Sequence, residues 1–208
     1  MGKKYRPLLI LGALLAYQAW KMYKGTAVLG TRTSEAMQTF KDKLTPIAQQ
    51  VEKELGISAK IGMTQAAHES GYGSSQLSRN DVSLTIKPGG RLGPANNLFG
   101  FTAEPATYWR KQNLEYVEMP TTEWKKDAAT GKAVSYKTVR PFRAYQSWEL
   151  SYRDWARLMQ TQHYVDAGGL AALKAGNIDA FAIAMNKAGY ATDPNYGAKL
   201  VKVSQAMA

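Results

Sequence analysis

The feature that most constrains this chain is a single change of period. Apolar residues recur every three or four positions from Met37 through Phe40, Leu44, Ile47, Val51 and Leu55, and the same spacing returns from Trp148 to Met159, over Leu170 to Lys174 and over Ile178 to Ala188. Between roughly Glu115 and Tyr145 that spacing gives way to β-branched and aromatic residues, in Glu115-Tyr116-Val117-Glu118, Thr121-Thr122-Glu123-Trp124 and Val134 to Val139, around a turn at Asp127 to Gly131. The pattern predicts a mostly α (α+β) domain: a helical body, one β-hairpin lobe, and a cleft between them. Ser34 is expected to cap the first helix, Gly56 to end it and Pro46 to kink or split it. A last short helix is expected around Val201, and Asp81 to Ala95, rich in glycine and proline, has the composition of an exposed loop. No internal repeat is apparent.

At 208 residues, 45% hydrophobic and 21% charged, the chain is long enough to bury a substantial core, and one catalytic domain is expected over residues 34–208. It carries a formal charge of +11, which suits an anionic partner without choosing one. No recognised nucleic-acid reading motif accompanies the charge, so nucleic acid is not expected as a partner. Cysteine is absent, which excludes disulfides, a thiol nucleophile and cysteine-based zinc sites. Two histidines are too few for most other metal constellations; neither metal nor cofactor is expected, and carboxylates are left to do any bond cutting.

Residues 1–24 read as an export signal or membrane anchor. Lys3, Lys4 and Arg6 precede the apolar run Pro7 to Trp20, and Lys21 and Lys24 follow it. The run is shorter than the about 20 residues a spanning helix needs, and no small-x-small cleavage site follows. Anchoring at the membrane through residues 7–20 is favoured over cleavage or over a buried first helix, since Leu8 to Leu15 is apolar all round. The leading basic residues would send the remainder of the chain outward. Residues 25–33, with glycines and threonines, read as a linker.

A second helix begins at Ser58, carries Ile61, Thr64, Gln65 and His68, and is stopped by Gly71-Tyr72-Gly73. Glu69 therefore sits in the last turn of a helix. There the negative end of the helix dipole and partial burial both disfavour an ionised carboxylate and raise its pKa. A raised pKa is what a general acid needs near neutral pH.

Four segments then fall in a familiar order: Gln65-Ala66-Ala67-His68-Glu69-Ser70-Gly71-Tyr72-Gly73, Asn97-Leu98-Phe99-Gly100, Phe142-Arg143-Ala144-Tyr145, and Ala188-Gly189-Tyr190-Ala191-Thr192-Asp193-Pro194-Asn195-Tyr196. Together they resemble the A-x-E-S-G-W-G, N-x-F-G, F-R-x-Y and A-G-Y-A-T-D-P-x-Y segments of glycoside hydrolase family 73, the N-acetylglucosaminidases of bacterial peptidoglycan, over roughly Leu44 to Val203. Two positions depart from the pattern: His68 stands in place of an apolar residue, and Tyr72 in place of tryptophan.

The resemblance implies a lysozyme-like α lobe with a hairpin lobe, and Glu69 as the acid that protonates the glycosidic oxygen. The second carboxylate of the family lies in a T-T-E-aromatic setting, which assigns it to Glu123, with Glu104, Glu115 and Glu118 as rivals. Tyr190 is expected to line the cleft near the scissile sugar. Tyr72, Asn97, Phe99, Trp124, Tyr145, Asp193 and Tyr196 are the expected substrate contacts, with Tyr72, Trp109, Trp124 and Tyr196 able to stack on sugar rings. Phe99 also reads as packing, Trp148 and Trp155 as core. His68 is not a partner for Glu69, since neighbours on a helix point about 100° apart; His163 stands alone.

Glycosidic cleavage passes through a cationic sugar, so one group donates a proton and something negative answers the charge: a carboxylate, water held by one, or the substrate's own acetamido group. The implied substrate is the N-acetylglucosamine to N-acetylmuramic acid linkage. The competing readings are a lytic transglycosylase using Glu69 alone, and a non-catalytic wall-binding virion component. A place outside the cytoplasm follows, whether in a bacterial remodelling enzyme, a bacteriophage lysis enzyme or a virion.

Overall fold

The computed structural model describes residues 29–104, 114–126, 133–191, 193 and 195–208, with side chains from 34 onward except 123–133 in the hairpin. The expected anchor at 7–20, the first part of the expected linker, Trp109 and the hairpin turn at 127–131 lie outside the described residues.

Helix α1 (Leu29–Leu55) runs unbroken through Pro46. It starts five residues before Ser34, which is therefore an interior residue rather than the cap, and residues 29–33 of the expected linker are helical. The missing amide of Pro46 removes one backbone bond, but Phe40, Leu44, Ala48 and Val51 are all fully buried on one face, and that packing spans the defect. After Gly56 the chain reverses into α2 (Ala59–Ser70), where Ser58 is the cap, accepting from the Ile61 amide.

The stretch read as a loop contains a small hairpin instead, β1 (Leu84–Ile86) paired antiparallel with β2 (Arg91–Gly93). The turn residues were legible, but not that Ile86 is driven to 0% exposure against Val117 and Phe142, which orders the segment on both sides of the turn. Lys87 exchanges backbone hydrogen bonds with Tyr116, extending the small hairpin onto the large one. The large hairpin follows as expected, β3 (Tyr116–Lys126) against β4 (Ala133–Arg143), in a register that sets Val117 opposite Phe142 and Glu123 opposite Tyr136.

The chain then returns to helices: α3 (Trp148–Met159), α4 (Gln162–Ala167), α5 (Gly169–Lys174), α6 (Ile178–Lys187) and α7 (Tyr196–Ala206). Helix α4 was not anticipated; its six residues are too few to show a period. Ser147 and Asn177 cap α3 and α6 through their side chains.

Two hydrophobic clusters result. A large one joins α1, α2, α3 and the C-terminal helices around Phe40, Trp155, Phe181 and Leu200, and a small one beneath the hairpins gathers Leu77, Ile86, Ala95, Val117, Phe142 and Ala144. This is the expected helical body with a small β lobe. No helix among the described residues is long and apolar enough to cross a membrane.

Candidate active site

Helix α2 approaches α3 closely because residue 62 is glycine: a Cβ there would sit 2.0 Å from the Tyr152 hydroxyl and 2.8 Å from the Trp155 ring. That approach buries the last two turns of α2, including Gln65 and Glu69. Gly71 then ends the helix in the left-handed conformation, its amide returning to the Ala67 carbonyl. Ser70 Oγ donates to the Ala66 carbonyl and accepts from the Gly73 amide, so the motif serine ties the turn to the helix. Tyr72 is also left-handed, at φ 57°, an uncommon setting for a residue with a side chain. Gly73 leaves no alternative: a Cβ would lie 2.5 Å from the Trp148 ring. The glycines of the motif thus fix where α2 stops, and with it where Glu69 stands.

Glu69 is 6% exposed. Its Oε1 accepts from the Tyr196 hydroxyl at 3.1 Å; its Oε2 is buried with no hydrogen-bond partner among the described residues. Behind it the chain of bonds continues inward, with Gln65 Nε2 donating to the Tyr196 oxygen at 2.9 Å and Trp155 Nε1 donating to Gln65 Oε1 at 2.7 Å. Burial pushes the Glu69 carboxyl up to about 8, and the hydroxyl of Tyr196 offsets this only in part. The raised pKa expected from the helix-end position is present, and desolvation is its main cause.

Three tyrosines pack here. Tyr190 lies between Tyr164 and Tyr196, each at a ring-centroid distance of 6.3 Å. Tyr190 and Tyr196 are both 0% exposed, and burial, with the charge of Glu69 next, holds both phenols well above their ordinary pKa, so they act as neutral groups. The expectation that Tyr196 stacks on a sugar is corrected: a fully buried ring offers no face to a ligand, and its role is played through its hydroxyl. His68 lies edge-on to Tyr196 at 5.5 Å, and burial, then Lys199, lowers its pKa to about 4, leaving it neutral. His163 reaches the Ala188 carbonyl through Nε2 at 2.8 Å.

Other motif residues prove to be framework. Phe99 is 0% exposed, stacked between Trp155 at 5.3 Å and Phe101 at 5.5 Å, which corrects its expected substrate contact in favour of packing. Asn97, 1% exposed, donates through Nδ2 to the carbonyls of Phe101 and Arg143 and accepts the Phe101 amide. Its polar atoms are spent on joining two backbone segments, so it too is corrected from contact to staple. Tyr145 donates to Asp154 Oδ2 at 2.7 Å, and Arg143 reaches the same oxygen at 2.5 Å. That node anchors the end of β4 to α3. Trp155 is core, as expected, while Trp148 is half-buried and donates to the Ser78 carbonyl.

Asp193 pairs with Lys199 and accepts the Asn195 amide, setting the turn that starts α7 and so places Tyr196. Tyr72 is half-buried, edge-on to Phe40 at 6.1 Å. Glu123 and Trp124 lie on β3, where the backbone alone is described. Their three rivals are each engaged: Glu104 with Arg140, Glu115 with Arg91 and Glu118 with Lys87. No group of three or more metal-binding side chains occurs among the described residues.

Sequence reasoning gave no role to Gln65 and saw Trp155 only as core. A signal for Gln65 exists: it lies one helical turn before Glu69, on the same face, and is an uncharged polar residue amid apolar neighbours. A cavity of about 300 Å³ lined by Lys43, Ile47, Asn80, Asn96, Gln146 and Trp148 lies apart, for neither Glu69 nor any of the three tyrosines lines it.

Known proteins were compared with this arrangement. The chain is 31% identical over 165 residues to the peptidoglycan hydrolase FlgJ of Pseudomonas aeruginosa, covering 79% of this chain and 35% of that protein. A probable N-acetylmuramidase of Lactococcus lactis is 27% identical, over 96% of this chain and 40% of its own length. The chain thus spans well under half the length of these curated relatives. Among solved structures, a peptidoglycan hydrolase mutant from Sphingomonas sp. A1 superposes with a TM-score of 0.60 at 32% identity, covering 82% of this chain and 95% of that one. The glucosaminidase family model, described as mannosyl-glycoprotein endo-beta-N-acetylglucosaminidase, matches residues 45–208. With the family pattern matched over most of its length, the chain belongs to the glucosaminidase family, glycoside hydrolase family 73.

Proposed function

We propose that this chain hydrolyses the glycan strands of bacterial peptidoglycan, at the bond from N-acetylglucosamine to N-acetylmuramic acid, with Glu69 as general acid. The observation that carries the reading is the pairing of a buried, proton-retaining carboxyl with a fixed orientation: Oε1 is committed to Tyr196, and Oε2 is the oxygen left to give a proton. Oε2 donates to the glycosidic oxygen, the C–O bond breaks toward the leaving sugar, and positive charge develops on the ring that remains. Water supplies the hydroxyl that completes hydrolysis, and its proton restores Glu69.

Glu123 is the proposed second carboxylate, answering that charge directly or through water. Support comes from its T-T-E-aromatic setting and from the engagement of Glu104, Glu115 and Glu118 by cations. Tyr190 and Tyr196 serve as neutral groups beside the acid, and Tyr72 and Trp124 as contacts for the sugars. The relatives' names and the +11 charge support an acidic, wall-derived substrate outside the cytoplasm, with the catalytic unit running from α1 to residue 208 behind an anchoring or export segment at 1–24 and a linker that gives way to α1 at residue 29.

Mass spectrometry of fragments released from purified walls is the test. Products ending in reducing N-acetylglucosamine are expected, and Glu69→Gln is expected to release only a trace of them. Reducing N-acetylmuramic acid would move the cut to the other linkage, and 1,6-anhydro ends would replace the hydrolase by a transglycosylase.

A further inference from the structure

The donor and acceptor inventory behind Glu69 leaves one arrangement of protons. An indole N–H can only donate, so the Gln65 atom facing Trp155 Nε1 must be the carbonyl oxygen, 2.7 Å away. Flipping the amide would set two donors against each other in a buried place and leave both unpaired. The Gln65 amino group is thereby turned toward Tyr196, 2.9 Å away, and it too can only donate. Tyr196 must accept there, and its one proton is directed elsewhere: to Glu69 Oε1 at 3.1 Å.

We infer that Gln65, held by Trp155, is a positioning residue that fixes the direction of the Tyr196 hydroxyl, so that Glu69 accepts at Oε1 and carries its transferable proton at Oε2. Trp155 lies 90 residues from Gln65 and Tyr196 lies 131 residues from it, so the relay is a tertiary construction across α2, α3 and α7. It is buried throughout, and each bond polarises the next, which strengthens donation to Glu69. Without Gln65 the hydroxyl loses the bond that orients and polarises it. The ionised form of Glu69 is then less well solvated, and its proton is no longer confined to one oxygen. The inference rests on Glu69 being the acid, but the relay itself can be read in the resting protein.

The experiment follows the carboxyl carbon of Glu69 by NMR through a pH titration of the full chain, in wild type, in Gln65→Met and in the double variant Gln65→Met with Trp155→Phe. Methionine keeps the shape without polarity, and the double variant leaves no indole donor unpaired, so it separates the relay from simple destabilisation. In both variants the Glu69 midpoint is expected to rise by about half a unit or more, and kcat, corrected for folded fraction, to fall about tenfold with little change in KM. Midpoints coinciding with wild type in both variants overturn the inference. Glu69→Gln separates the two readings: if it remains active, the acid assignment fails, while the titration still decides whether Gln65 directs the hydroxyl.

Discussion

Glu69 in the helical body and the described acids of the β lobe stand in opposite surroundings. In the helical body Glu69 is buried in the last turn of α2 and bonded to Tyr196, with no cation bonded to it among the described residues, and burial keeps its proton on to about pH 8. In the β lobe Glu104, Glu115 and Glu118 lie toward solvent and are met by cations: Arg91 beside Glu115 holds that carboxyl below its ordinary range, Lys87 meets Glu118, and Arg140 meets Glu104. Glu69 therefore keeps its proton where Glu115 gives its own up readily. Environments that push like groups apart in pKa are how a fold separates the donor of a proton from the groups that answer positive charge.

The sharpest test of that contrast is Glu69→Gln. Turnover is expected to fall by about three orders of magnitude, as loss of a general acid predicts, measured by release of wall fragments. Wild-type activity should in turn fall as pH rises through about 8, where the acid loses its proton. The sign for stability runs the other way from a salt-bridged acid. The folded pKa lies above the ordinary 4.5, so folding binds the proton, and the contribution present below 4.5 is lost as pH rises toward 8. Glu69→Gln is therefore expected to melt higher than wild type at pH 9, by on the order of several degrees, and to lose that advantage at pH 4. An unshifted alkaline limb combined with equal melting at both pH values would mean that Glu69 is an ordinary ionised carboxylate.

Phe99→Ala asks whether the helical body owes its rigidity to packing. Phe99 is fully buried between Trp155 and Phe101, and truncation is expected to cost about 3–5 kcal/mol, read by denaturant unfolding. Because Trp155 anchors Gln65, activity in the folded fraction should fall as well. A small cost would show that the cluster collapses around the gap.

What was legible in the sequence divides along the same line. The helices α2, α3 and α6 and the large hairpin follow from period and caps, and Glu69 follows from a helix end punctuated by Gly71 and Gly73. The orientation of Tyr196 did not follow, and Phe99 was left between sugar contact and packing, because an aromatic in a motif reads alike whether its ring faces sugar or core. In the 81–95 segment the alternation Val82-Ser83-Leu84-Thr85-Ile86 was present but too short to decide, and the order of the segment comes from burial of Ile86 against Val117 and Phe142 far along the chain. Local signals specify elements; which polar atoms meet across them is settled by partners 90 or 131 residues away.

Asp154 joins the two lobes and is the next test in size. Its side chain is 10% exposed and takes Arg143, Tyr145 and Arg157. Burial works against its charge, but Arg143 and the hydrogen bonds prevail, and its pKa lies below the ordinary 3.8. Its contribution is present above 3.8 and lost as pH falls below it. Asp154→Asn, which strips Arg143 of its main counter-charge, is expected to cost about 3 kcal/mol at pH 7 and little at pH 2. A cost independent of pH would shift the explanation from charge to shape.

Arg91→Ala should have the smallest effect, and its smallness is the point. The Arg91 and Glu115 side chains are 41% and 29% exposed, so their bond, though bidentate, is made largely in water, and its removal is expected to cost about 0–1 kcal/mol, less still at high salt. Glu115 would stay solvated and ionised, since solvent replaces what the guanidinium supplied. Were Arg91→Ala to cost as much as Asp154→Asn, the order of β1 and β2 would rest on this pair rather than on Ile86. The paired acids of the β lobe would then be structural members, no more free to answer the chemistry proposed at Glu69 than Asp154 is.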